Sequence, residues 1–298
     1  LAGFGMVLGL VQYKMGTKYL GDAGALKSTD TDEEIARKTK KFYLISGVSA
    51  ALLVVFGYLV SSGVLDFTLT DIAEGLGSSI LIIVAVYFIY LIFFGGHTQL
   101  EKKRLGIIFW LFILAAIFWS GFEQAGSSLN LFADRMADRS FGDWEMPASW
   151  LQSVNSTFII IFAPLFGSLW ITLARIKKHP SFLVKFALGL LGLGAGFFVI
   201  AWGAANAEPG TVGITFLIVT YFLHTVGELC LSPVGMSSIT KLAPEGRVGQ
   251  MMGIWFVATA LGNLIAGLVA GDIGALGFDG LFQQVAMISA GAGVVALL

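Results

Sequence analysis

Two acidic side chains, Glu123 and Glu228, stand inside apolar stretches long enough to cross a bilayer. A charge in that position costs roughly 2.5–3.5 kcal/mol on insertion scales, so such groups normally face a water-filled cavity and carry function. The stretch FWSGFEQAGSSLNLFADR, residues 118–135, sets Glu123, Ser127 and Asn130 at i, i+4 and i+7. These three share one helical face, which Trp119 extends a turn back. In GELCLSPVGMSSITK, residues 227–241, Glu228, Ser232 and Gly235 repeat the spacing with Pro233 between them. A polar stripe on an apolar helix belongs against protein or water. Interhelical hydrogen bonding explains Ser127 and Asn130 as well as a cavity does. Glu123 is harder to explain structurally, because its partner would have to be basic and no Lys or Arg stands inside the core of any expected span. Its counterion comes from outside this chain, or it is protonated for part of a cycle. A carboxylate held between burial and a nearby cation suits binding and releasing a proton. His224, one turn before Glu228, reads either as a proton relay or as a hydrogen-bonded spacer, and the spacer is favoured. Gln152, Asn155 and Ser156 make a further polar face. Trp255 lies two turns beyond Arg247, deeper than an interface anchor, and reads as a pocket wall.

Helices in a bilayer must position these groups. The chain has 298 residues, 56% hydrophobic and 12% charged, with a mean hydropathy of +0.84. A soluble domain carries about 25% charge. Apolar runs near the required ~20 residues predict spans at 42–62, 75–96, 105–132, 149–173, 181–204, 211–240 and 248–270, with partial ones at 1–12 and 279–298. The run at 211–240 is long enough to tilt or kink, and Pro233 with Gly235 supplies the cause. Charge alternates from loop to loop. Lys14 to Lys41, Lys102 to Arg104, Arg175 to Lys185, and Lys241 with Arg247 hold 16 of the 18 basic residues. Arg135 and Arg139 sit instead in an acidic loop with Asp134, Asp138, Asp143 and Glu145. By the positive-inside rule the first set is cytoplasmic.

Residues 13–41 read as a solvated cytoplasmic linker with an acidic cluster, Asp30, Asp32, Glu33 and Glu34, then Arg37 to Lys41. That linker reading can include a short amphipathic helix, and a regulatory partner site is the sharper alternative. The GxxxG pair Gly267 and Gly271, and the face Gly189, Gly192 and Gly196, are spaced for close helix contact. Cys230 lies in an apolar span and reads as packing rather than chemistry. Leu1 to Leu10 is read as the tail of a span that begins elsewhere, and Leu281 to Leu298 as a span cut short, so the chain is expected to be one piece of a larger protein. A net charge of −1 argues against a nucleic-acid surface as the main theme. No Walker loop, HExxH pair, metal-ligand cluster or nucleophile elbow competes, so no enzyme is expected.

At these stretches the sequence resembles the proton-dependent oligopeptide transporter family, the peptide branch of the major facilitator superfamily. The carrying residues are 118–135, LQSVNSTFIIIFAPLFGSLW at 151–170, GELCLSPVGMSSITKLAP at 227–244 and GQMMGIWF at 249–256. The resemblance implies an all-α transmembrane fold: the superfamily's C-terminal six-helix bundle plus an inserted helix pair. Residues 1–12 would end the sixth helix, 13–41 form the linker, 42–96 the inserted pair, and 97–298 the bundle with its last helix truncated. It implies proton-coupled symport of di- and tripeptides across the bacterial inner membrane by alternating access, with protons as coupling ion and no other cofactor. Glu123 matches the seventh-helix proton-coupling acid. Asn155 matches a peptide-binding asparagine, Glu228 the acid that receives the peptide amino terminus, with Ser232 beside it, and Trp255 a pocket aromatic; Gln124 is a further substrate-binding candidate. Ser156 departs from the proline expected after that asparagine. The first-helix ExxERFxYY motif is absent, so the implied partners include the N-terminal half of the same protein as well as the bilayer and the peptide. The alternatives are a family member carrying nitrate or another small anion, and a non-transporting receptor or scaffold on the same fold. The paired intramembrane carboxylates argue against the anion carrier.

Overall fold

In the computed structural model, residues 2–20, 31–205 and 208–297 are described. Lys27 and Asp30 of the expected linker lie outside them. The chain divides into two compact units, 1–67 and 68–298.

In the first unit, α1 spans Ala2–Leu20 and α2 spans Asp32–Ser61. The linker expected over 13–41 is therefore helical at both ends. Asp32, Glu33 and Glu34 occupy the first turn of α2, and Arg37 to Lys41 continue in the same helix. The reason is local. Thr31 accepts from the Glu34 amide at 3.4 Å and the Glu34 carboxylate accepts from the Thr31 amide at 3.2 Å, which makes a capping box. Three acidic side chains also favour the positive end of a helix. A separate amphipathic helix is not needed, because the nucleated turn runs straight into the apolar span.

The second unit holds α3 (Leu69–Phe94), α4 (Gln99–Phe122), α5 (Ser128–Arg135), α6 (Gln152–Arg175), α7 (Phe182–Ala205), α8 (Thr215–Leu242), α9 (Val248–Gly271) and α10 (Ile273–Val295). Capping boxes at Thr68 with Asp71 and Thr98 with Glu101 start α3 and α4. Each such cap contributes about 1 kcal/mol. The expected inserted pair is divided between the units, with α2 in the first and α3 packed on α4 and α9 in the second. Seven helices among the described residues are long and apolar enough to cross a membrane.

The expected single span at 105–132 is broken. After Phe122 the chain makes a 3₁₀ turn, Glu123–Gly126, and Ser127 takes non-helical angles before α5 begins. Glu123, Ser127 and Asn130 therefore do not share one continuous helical face. By contrast α8 continues through Pro233 as one helix, although the Leu229 carbonyl loses its i+4 donor there. A positive-φ glycine, Gly277, kinks α10 near its start.

The bundle is held by close approaches of backbone. A methyl group on Gly227 would lie 2.6 Å from the Gly189 carbonyl, and one on Gly189 would meet Leu231 at 2.8 Å. Helices α7 and α8 therefore cross at a distance only glycine permits, and Thr220 adds a hydroxyl bond to the Gly196 carbonyl at 3.1 Å. Gly262 gives α9 the same approach to Trp119 of α4. The Gly267 and Gly271 pair, expected at a contact, has nothing within 4 Å among the described residues. Both glycines are exposed. Phe112, Phe118, Phe132, Phe186, Phe197, Tyr221 and Phe282 fill the core.

The acidic loop after α5 holds three of the four short strands among the described residues, and the loop before α8 holds the fourth, which the all-α reading did not anticipate. β1 (Ala137–Asp138) runs parallel to β4 (Val212–Gly213), and β2 (Ser140–Phe141) pairs with β3 (Trp144–Glu145). Arg139, buried, ties the loop together through Glu145 at 2.7 Å, Asp134 at 3.2 Å and the Met146 carbonyl.

Candidate functional site

The break between α4 and α5 has a chemical cause in Gln124. This side chain is fully buried. Its Nε2 donates to the Ala266 carbonyl of α9 at 3.2 Å and to the Ser120 carbonyl at 3.4 Å. Its Oε1 accepts from Ser127 at 3.3 Å and, more closely, from Ser128. One amide thus links the last turn of α4, the two serine hydroxyls of the break and the α9 backbone. Every polar atom of Gln124 is used within the protein, so the expectation of a substrate contact is replaced by a structural role.

The turn delivers Glu123 half-buried between helices, with the Asn263 side chain of α9 in hydrogen-bonding reach of its carboxylate. Asn263 also donates to the Thr259 carbonyl at 3.1 Å, which holds its amide in place. Asn263 did not emerge from the sequence reading; an asparagine in the middle of the apolar 248–270 run was the available signal.

Glu228 projects from the middle of α8. The Asn155 side chain of α6 reaches its carboxylate and donates to the Thr225 hydroxyl at 2.9 Å, and Thr225 donates to the Tyr221 carbonyl at 2.7 Å. Asn155 is thus oriented by one partner while it serves the other. The second oxygen of Glu228, Oε2, is buried with no hydrogen-bond partner. Glu228 also feels the charge of Glu123, so α4, α6, α8 and α9 bring the two carboxylates into one neighbourhood. Among the described residues neither has a basic partner. Leaving a buried acceptor unpaired costs about 1–3 kcal/mol, and the arrangement is suited to a cationic ligand or an exchangeable proton.

Ser232 stands one turn beyond Glu228 and is partly exposed. His224 is fully packed, its ring 4.7 Å from that of Phe197 and 6.4 Å from that of Phe122. It bonds the Leu193 carbonyl, and Gly196 opposite leaves room for the ring. This is the spacer arrangement. Trp255 is 2% exposed, its ring edge-on to Phe186 and resting on the Gly235 backbone. Contrary to the pocket-wall expectation, it presents no ring face to a cavity in this conformation. Asn130 borders a cavity of 350 Å³ with Ser127 and Asp134, and its buried Oδ1 lacks a partner. One lysine is buried: Lys185, counted by sequence with the cytoplasmic loop residues although it falls in the expected 181–204 span, sits in the first turn of α7 at 4% exposure. Cys230 is buried, as the packing reading expected.

A multi-pass helical bundle with ionisable groups turned inward is the architecture of a membrane transporter. The sequence profile of the POT family, PTR2, matches residues 1–275, and the chain belongs to the POT family. It is 42% identical over 226 residues to the peptide transporter YePEPT of Yersinia enterocolitica subsp. palearctica serotype O:3 (strain YE-P4), covering 75% of this chain and 44% of that protein. Against the uncharacterized transporter YclF of Bacillus subtilis (strain 168) it is 34% identical over 299 residues, 100% of this chain and 58% of YclF. A crystal structure of a POT peptide transporter in complex with sulfate matches with a TM-score of 0.85 at 32% identity, covering 100% of this chain and 59% of that one. The chain thus spans about half the length of the relatives it matches. The fold is of the major facilitator type, and the protein is a multi-pass protein of the inner (plasma) membrane.

Proposed function

We propose that the whole protein to which this chain belongs is a proton-coupled symporter of di- and tripeptides across the bacterial inner membrane, working by alternating access. The observation that carries this reading is the pair of inward carboxylates with no cation beside them among the described residues: Glu228 held by Asn155 with one oxygen unpaired, and Glu123 set by the α4–α5 break beside Asn263. A short peptide is a zwitterion whose ammonium end suits a fixed carboxylate and whose backbone suits an amide. Glu228 receives the amino terminus, Asn155 orients that carboxylate and contacts the peptide, and Ser232 lines the same face. Side chains of the peptide meet no dedicated partner in this set, so specificity is broad. Glu123 exchanges the coupling proton against a basic residue of the N-terminal half. Trp255 supports the helix crossing below Glu228. The naming of YePEPT as a peptide transporter supports the substrate class.

In the full-length protein reconstituted in liposomes, Glu123→Gln is expected to abolish uptake of labelled dialanine driven by a pH gradient while sparing peptide counterflow exchange. Undiminished proton-driven accumulation by that variant would remove Glu123 from coupling. Absence of any dialanine uptake by the wild type would favour a receptor or a different cargo.

A further inference from the structure

The buried Lys185 has no part in the peptide site. Its Nζ lies 3.0 Å from His179 Nε2 and 4.1 Å from the centre of the Trp170 ring. No carboxylate among the described residues lies within ion-pairing distance of it. A buried ammonium is normally paired, since desolvation is otherwise uncompensated. A cavity of 520 Å³ opens beside it, and its polar lining is His179, Ser181, Lys185, Ser237, Ser238 and Lys241. That lining contains two lysines, three hydroxyls and an imidazole, and no acid. Ser181 already accepts from the Val184 amide at 3.3 Å, which leaves its O–H to donate inward. The start of α7, with its positive dipole end, borders the same space. Lys241 is exposed at the rim while Lys185 forms the floor, so an anion entering from the surface meets a charge at each depth. By the charge alternation of the loops, the cavity lies at the cytoplasmic end of α7 and α8, at the level of lipid headgroups.

We propose that this cavity binds a phosphate group, supplied by an anionic lipid headgroup or by soluble phosphate, between Lys185 and Lys241. The inference does not depend on the peptide reading, since it uses other residues and a binding measurement. The test uses the full-length protein in nanodiscs of phosphatidylcholine, with either phosphatidylglycerol added to the bilayer or inorganic phosphate added to the buffer, against chloride at matched ionic strength. Thermal stabilisation by at least one anion is expected. Its apparent affinity should fall about tenfold in Lys241→Ala and in Lys185→Met, and persist in Lys185→Arg. Stabilisation by phosphatidylglycerol alone identifies a headgroup site, and stabilisation by phosphate in the neutral bilayer identifies a soluble ligand. The proposal is overturned if neither anion stabilises the wild type, or if Lys241→Ala responds as the wild type does. Lys241→Ala, at an exposed position, decides the matter should Lys185→Met fail to fold.

Discussion

Glu228 and its neighbour Asn155 set the terms at the residue scale. Asn155 donates to Thr225 and reaches the Glu228 carboxylate, while Oε2 of that carboxylate waits without a partner. Glu228→Gln in the full-length protein should therefore weaken binding of a free dipeptide by about 1.5–3 kcal/mol, the range for a charged hydrogen bond. An N-acetylated analogue, lacking the ammonium, should lose far less. Isothermal titration of both peptides checks this, and equal losses would detach Glu228 from the amino terminus. Asn263 makes a second residue-scale expectation. Asn263→Ala should leave peptide counterflow intact and alter the pH profile of proton-driven uptake, because its amide reaches Glu123. Both acids and Asn155 were legible in the sequence, since a polar group in an apolar span stands out by its cost. Gln124 and Trp255 were legible as unusual but not as buried, because nothing in a linear sequence says which polar group will consume its own hydrogen bonds.

Among the elements, the turn between α4 and α5 and the crossing of α7 with α8 carry the geometry. Gln124→Leu would strand the Ala266 carbonyl and the Ser128 hydroxyl, and should cost about 1–3 kcal/mol of stability. A fall in thermal midpoint without change in the detergent-monomer profile is the expected readout. Gly227→Ala puts a methyl group 2.6 Å from the Gly189 carbonyl and should cost about 1–3 kcal/mol through overpacking. Gly267→Ala should be neutral by the same measurement, since among the described residues nothing lies within 4 Å of the added methyl group. The length of the apolar runs identified the spans, because lipid imposes a minimum length on every one of them. The interruption at Glu123–Gly126 escaped it, since the residues there fit a helical pattern and only the bonds of Gln124 make the irregular turn affordable. The capping boxes at Thr31, Thr68 and Thr98 were present as Ser/Thr-x-x-acid spacings, and the one at Thr31 explains why α2 absorbs residues 32–41 of the expected linker.

For the whole molecule, the distribution of charge predicts sidedness. Single-cysteine labelling in intact cells of the full-length protein should modify Asp143→Cys from outside and Lys178→Cys only after the cytoplasm is opened. Cys230 is buried and should remain silent in both cases. Labelling of Lys178→Cys from outside would invert the assignment and place the Lys185 cavity on the other face. The sequence by itself determined that the chain crosses a membrane, how its loops alternate, and which polar groups would be costly enough to matter. These follow from composition and spacing, which act through transfer free energies summed along the chain. The tertiary structure alone decided which of those groups meet. It joined Glu228 to Asn155 and Glu123 to Asn263, gave Gln124 to the backbone, buried Trp255 beneath a glycine, and left Lys185 in an acid-free cavity. Pairing across helices depends on the depth and rotation at which backbones approach, and glycine contacts and hydrogen bonds between residues distant in sequence fix both.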